Sequence, residues 1–197
     1  MMMNKAKCSA AGVLLLASGF LQAAAPSGWL LAGGNPRNYE TGIDSKTTFG
    51  GEPSAYLKTT SAAPEAPQGV QNFGTLMQMF NATKEYAGQR VRFSAYVKSD
   101  NVTDWAALWM RVDRKGSPTL SFDNMQNRAI KGTTEWQRYE VVLDVQADAT
   151  AIAFGILLAK SGAVWLTGVK FEIVGASVPV TNMLAAPTAP QNLNFEK

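Results

Sequence analysis

The chain has 197 residues with no histidine at all, and its single cysteine is Cys8. Histidine is the usual general base and a frequent metal ligand, while cysteine supplies nucleophiles, soft metal ligands and disulfides. Their absence after Cys8 excludes a Ser-His-Asp triad, a cysteine nucleophile and any nitrogen or sulfur metal site from the remainder of the chain. Long apolar runs are missing as well. The stretch Gly12 to Leu21 falls short of the roughly 20 apolar residues that cross a bilayer, so no membrane span is expected. Nor is there a basic field. The formal net charge of +3 includes Lys5 and Lys7, and without them the chain is close to neutral, which argues against a nucleic-acid partner. The Gly-rich piece Gly33-Gly34-Asn35-Pro36 lacks the spacing and the strand-to-helix setting of a phosphate loop.

Residues 1–25 read as a secretory signal peptide: Lys5 and Lys7 form its basic start, Gly12 to Leu21 its apolar stretch, and Ala23 to Ala25 its small-residue cleavage site. A periplasmic or secreted product is expected. Cys8 precedes the apolar stretch, so the layout is not that of a lipoprotein. It would leave with the signal, and the mature domain would then be held by its core without a disulfide. Residues 26–178 are long enough for one such core.

What the chain does have is alternation. Val91, Phe93, Ala95 and Val97 fall on one side of a strand, with Arg92, Ser94, Tyr96 and Lys98 on the other. Leu108, Met110 and Val112 then alternate with Trp109, Arg111 and Asp113. In a third run Tyr139, Val141, Leu143 and Val145 alternate with Arg138, Glu140 and Asp144. Shorter strands are expected near Tyr39 to Ile43, Ser54 to Thr60 and Phe73 to Asn81. Ala151 to Leu158 is a continuous apolar run of strand length, expected to be buried on both faces. A turn at Lys160 to Gly162 is expected to close a hairpin onto Val164 to Val174, where Trp165, Thr167, Val169, Phe171 and Ile173 would form the core side. Trp136 and Trp165 read as core residues, and Trp105, after Asp104 in a turn, as a rim residue. About eight short antiparallel strands with no convincing amphipathic helix predict an all-β, jelly-roll β-sandwich.

The segments FGTLMQMF, YAGQRVRFSAYVKSD, WAALWMRVD, FDNMQNRAIKGTTEWQRYEVVLDV and AIAFGILLAKSGAVWLTGVKFEIV resemble the galactose-binding-like jelly-roll modules of bacterial secreted proteins and regulators, a carbohydrate-binding-module-like family. The resemblance covers Trp29 to Val174. It implies a binding module and no catalytic signature. Such modules commonly open with a strand like NLxFE before a Trp; here NLNFE stands instead at Asn192 to Glu196. The Pro-rich tail 179–197 is therefore either a linker or a segment that returns as an edge strand at 192–196. No cofactor is expected. The resemblance leaves a structural calcium ion open, but Thr167 and Gly168 stand where these modules often carry acidic residues, which weakens that site.

Sugars offer apolar C–H faces and outward hydroxyls, so their sites combine an aromatic ring with planar polar groups. Tyr96, Trp109 and Arg111, joined by Asp123 and Asn124 of the polar segment that follows, are the expected ligand contacts. Trp109 and Arg111 stand roughly 7 Å apart on one face of a strand. Two readings of this group remain. In one, an exposed Trp109 stacks on a carbohydrate or similar polar ligand. In the other, Trp109 is a packing residue and Arg111 pairs with Asp113 or Asp123, which leaves a structural module whose partner is another protein. A carboxylate glycosidase built from Asp113, Asp123, Glu135 or Glu140 is the least favoured alternative.

Overall fold

In a computed structural model, residues 24–60, 71–82, 84–116, 119–184 and 193–194 are described. The signal-peptide reading falls on residues that lie, up to position 23, outside that set. Nine strands follow in order: β1 (Leu30–Gly33), β2 (Tyr39–Phe49), β3 (Glu52–Thr59), β4 (Phe73–Asn81), β5 (Arg90–Asp113), β6 (Ser121–Asp123), β7 (Ile130–Asp144), β8 (Ala151–Ala159) and β9 (Ala163–Val174). The only helical turns among the described residues are two short 3-10 segments, Pro36–Asn38 and Gln126–Arg128. This is the antiparallel jelly-roll sandwich expected from the alternation.

β5 is the strand that both layers share. Its first half pairs with β7 on one side and β9 on the other, and β9 continues through β3 to β2. Its second half pairs with β8, which continues through β4 to β1, while β6 flanks it on the opposite edge. The sequence reading broke this strand near Trp105. The chain instead runs through as 24 residues, with register shifts between Val97 and Ala106 and a positive φ at Asn101. Such bulges bend a strand and change which side chains face inward. Before the bend the odd positions Val91, Phe93, Ala95 and Val97 are buried in the core; after it the even positions Ala106, Leu108, Met110 and Val112 are. Between the layers Phe93 and Phe171 meet Phe154 in edge-on and tilted contacts at 4.9 and 5.0 Å, which closes the sandwich. Each buried side chain of that size is worth roughly 1.5–3 kcal/mol.

Two expectations about the last strands are corrected. The turn at Lys160 to Gly162 does not close a hairpin: β8 pairs with β4 and β5, and β9 with β5 and β3, so the turn is an arch that carries the chain from one layer to the other. In β9 the alternation also breaks in the middle. Val164 and Leu166 are buried in the core, whereas Val169 and Ile173 are exposed. Between the pairs Val97↔Leu166 and Phe93↔Phe171, β9 has one residue more than β5. The extra residue sits at Gly168, whose φ of +59° suits glycine and few other residues. Trp165 therefore lies on the outer face of its layer, half-buried, where its indole N–H donates to Asp44 Oδ2 at 3.0 Å. Trp136 is likewise outside the core, 5.7 Å from Phe49.

Asp44 ties β2 to β9. Its other oxygen accepts the backbone N–H groups of Lys46 at 2.8 Å and Thr47 at 3.1 Å. These bonds, the Lys46 amide first, hold the carboxyl at about 2 against the ordinary 3.8. The folded value is depressed, so the stabilisation is complete above pH 4 and is lost as pH falls through about 2. The emission of Trp165, taken as the difference from Trp165→Phe, is expected to titrate with a midpoint near pH 2. The transition should vanish in Asp44→Asn; a titration that survives that substitution would show that another group controls this contact.

The tail beyond β9 is partly held. Thr181 exchanges hydrogen bonds with Val142 of β7, and the Met183 N–H donates to Phe122 O at 2.8 Å. Of the NLNFE segment, Leu193 and Asn194 form a turn with Leu193 73% exposed, and its other residues lie outside the described residues.

Candidate functional site

The outer face of the β1-β4-β8-β5-β6 layer carries an open cleft of about 1000 Å³. Its floor is built by register. Trp109 of β5 faces Gly155 of β8, which in turn faces Met77 of β4. With no side chain at Gly155, the indole can lie across β8. It reaches β4, where Nε1 donates to Thr75 Oγ1 at 2.8 Å. The Thr75 hydroxyl in turn donates to the Ile156 carbonyl at 2.9 Å, so the ring plane is set by a buried two-step chain. Only glycine fits at position 155, since a Cβ there would come within 2.3 Å of Leu76 O. Trp109 is 8% exposed: it is a floor and not a free platform.

Around that floor stand residues from two strands, β5 and β6, and from three connections. Trp105 is half-buried on the same face of β5 and lines the cleft, and no hydrogen bond engages its indole N–H among the described residues. Phe122 of β6 pairs with Arg111 across the strands and forms the opposite wall. Asn124 and Gln126 follow on the β6–β7 connection, where the Gln126 N–H donates to Asn124 Oδ1 at 3.2 Å and leaves the Asn124 amide nitrogen for another acceptor. At the far rim Lys160 Nζ lies 3.6 Å from Asp104 Oδ2, and Asn72 lies beside it. That rim is braced from below by Tyr39, buried to 1% exposure, whose hydroxyl lies 2.8 Å from Lys160 O and 3.1 Å from Asn72 O. Burial raises the Tyr39 phenol to about 12, so it stays a neutral donor.

Of the five predicted ligand contacts, the fold brings three together: Trp109, Arg111 and Asn124 all line the cleft. The other two are corrected. Tyr96 is on the opposite surface, because it precedes the bend in β5; its ring stacks on Phe49 at 4.2 Å. Asp123 points inward with 0% exposure, held by Arg128 at 2.5 Å and by the Met125 N–H at 2.7 Å, so it fixes the β6–β7 connection and cannot reach a ligand in the cleft. It was read as part of an exposed polar segment, but β6 pairs Asp123 with core-facing Met110, which turns its carboxylate inward. Arg111 does pair with Asp113, through Nε at 2.8 Å, as the packing reading expected.

The sequence reading missed Asp104, Lys160, Asn72 and Phe122. Nothing in their local sequence marks them; they meet because the β8–β9 arch and the start of β4 come to the same end of the layer as the bend in β5. The carboxylates proposed for glycoside hydrolysis are dispersed. Glu135 pairs with Lys98, Glu140 with Arg138, and Asp123 with Arg128, all away from the cleft. Among the described residues no group of three or more acidic side chains could hold a metal ion. Thr167 donates to Pro53 O and Gly168 forms the β9 bulge. No helix among the described residues is long and apolar enough to cross a membrane.

No family model matches the chain. It is 44% identical over 174 residues to the uncharacterized HTH-type transcriptional regulator YbfP of Bacillus subtilis (strain 168), covering 86% of this chain and 57% of the relative. The chain thus spans little more than half the length of that protein. Among solved structures, the CBM22-1 xylan-binding domain of Paenibacillus barcinonensis Xyn10C superposes with a TM-score of 0.53 at 16% identity, covering 79% of this chain and 91% of that one. The CBM22-1 and GH10 modules of Clostridium thermocellum Xyn10B, complexed with xylohexaose, give a TM-score of 0.51 at 12% identity over 75% of this chain and 26% of that one. These likenesses establish the fold: the chain has the jelly-roll sandwich of carbohydrate-binding modules.

Proposed function

We propose that this is a non-catalytic module that binds a carbohydrate chain in the cleft of the β5-β8 layer. One observation carries the reading. An open cavity large enough for several sugar rings joins two tryptophans and Phe122 to Arg111, Asn124, Gln126 and Asn72, which is the pairing of apolar faces with planar polar groups that sugars require. Trp105 is the stacking ring, Trp109 the floor beneath it. Asp104 is the carboxylate on the rim, already paired with Lys160, which supports binding over acid-base hydrolysis. The names of the fold neighbours, a xylan-binding domain and a module complexed with xylohexaose, support the same ligand class.

The test uses a glycan array to find a ligand and titration calorimetry to follow it. Trp105→Ala is expected to weaken binding at least tenfold, about 1.4 kcal/mol, while lowering the melting temperature less than Trp109→Ala does, because the ring is only partly buried against the core. Unchanged affinity would remove the cleft from consideration. We place the protein's action in the periplasm or outside the cell on the character of residues 1–25. Intact-mass analysis of protein recovered from the periplasm of a Gram-negative host should give a chain that starts after about Ala25, and a chain retaining Met1 would contradict this.

A second reading, a protein-interaction module, is favoured by the other surface. There Phe49 stacks on Tyr96 at 4.2 Å and stands 5.7 Å from Trp136, an aromatic cluster on the outer face of that layer. An apolar patch of this kind commonly marks a contact with another protein.

A further inference from the structure

The cleft does not end at Arg111. A smaller depression of about 260 Å³ adjoins it, lined by Arg111, Thr119, Phe122 and Leu184, so Arg111 and Phe122 line both. Leu184 reaches that place because the chain from Thr181 to Met183 is bonded to β7 and β6. Arg111 is anchored at one edge only. Its Nε donates to Asp113 Oδ2 at 2.8 Å, while Asp113 Oδ1 accepts from Thr119 Oγ1 at 3.2 Å. The two terminal nitrogens make no hydrogen bond among the described residues, and the side chain is 41% exposed. A guanidinium pinned through Nε presents its outer pair of N–H groups in a fixed plane. That plane matches the two oxygens of a carboxylate in a bidentate pair, whereas a sugar hydroxyl can use only one of them. Phe122 and Leu184 line the depression beside this fork and give it apolar walls.

Resting on the cleft reading, we infer that the ligand is an acidic glycan: its backbone lies over Trp105 and Trp109, and a uronate carboxylate enters the side depression to pair with Arg111. Asp113 is the positioning residue of this arrangement. It balances the charge of Arg111, so the preference comes from geometry at contact and not from a long-range field.

The experiment measures affinity for polygalacturonate and for glucuronoxylan, each beside the same polymer after its carboxyl groups have been reduced to alcohols. The full chain should bind at least one acidic polymer tenfold or more tightly than its reduced partner. Arg111→Met should bring that ratio close to one, and Arg111→Lys should leave an intermediate ratio, because the charge remains and the fork is lost. Equal binding of acidic and reduced forms, a preference that survives Arg111→Met, or no binding to either acidic polymer would each overturn the inference. The cleft reading stands or falls separately, on the effect of Trp105→Ala upon whichever glycan the array identifies, acidic or neutral.

Discussion

Replacing Trp109 by alanine is expected to destabilise the domain by about 3–5 kcal/mol, the range for removing a large buried aromatic side chain. Such a loss is a large share of the roughly 5–15 kcal/mol that holds a typical domain together. The indole is 8% exposed, belongs to the core cluster and has its N–H committed to Thr75. Truncation removes its burial, leaves Thr75 without its donor and opens a void between β4, β8 and β5 under the cleft. Urea denaturation should show a large fall in midpoint, and ligand binding should disappear with the floor. Thr75→Val, which removes the acceptor of the indole N–H and the donor to the Ile156 carbonyl, should cost about 1–3 kcal/mol, since the buried indole N–H then has no partner. A Trp109→Ala protein that melts like the parent would mean that the ring is a free platform, as the ligand reading of the sequence required, and that the register across Gly155 is wrong.

Removing Arg128 is the second large change. Asp123 is fully buried, and Arg128 meets it with both terminal nitrogens, at 2.5 and 3.2 Å, while Nη2 also donates to Glu140 O at 3.1 Å. Arg128→Ala leaves a buried carboxylate with the Met125 N–H as its remaining donor, and breaking a buried pair in this one-sided way costs about 3–5 kcal/mol. Partial exposure of Arg128 places the expected value at the lower end of that range. Adding Asp123→Asn should restore part of the loss, a coupling that a double-mutant cycle measures. No restoration by Asp123→Asn would indicate that Arg128 acts through packing and not through charge. Because Met125 holds a φ of +56° next to this pair, the same variant should also weaken ligand binding through Asn124 and Gln126.

Much of the fold was legible because period-two alternation is a local property of the chain. Val91 to Val97 and Leu108 to Val112 each show which side chains face a core, and Ala151 to Leu158 shows a strand covered on both faces. The alternation does not show that the two halves of β5 face opposite surfaces, since that depends on bulges near Asn101 whose residues carry no strong signal. Tyr96 was therefore grouped with Trp109, although the bend sends the two to different layers. The single extra residue at Gly168 inverted the outer half of β9 in the same way, and Trp165 went with it.

By itself the sequence determined the class of chemistry and the architecture. A chain without histidine, with no cysteine after Cys8 and with strand-length alternation throughout is limited to an all-β sandwich whose surface chemistry is aromatic, amide, guanidinium and carboxylate. It also placed Trp109, Arg111 and Asn124 close enough in the chain to meet. Only the tertiary structure decided the rest: that Trp109 is floor and not platform, that Asp123 turns inward to Arg128, and that Trp105, Phe122, Lys160 and Asn72 complete the cleft. The physical reason is that each of those outcomes depends on partners far along the chain. Thr75 lies 34 residues from Trp109, and Tyr39 lies 121 residues from the Lys160 carbonyl it braces; pairings at such separations are set by strand order and register, which no local pattern encodes.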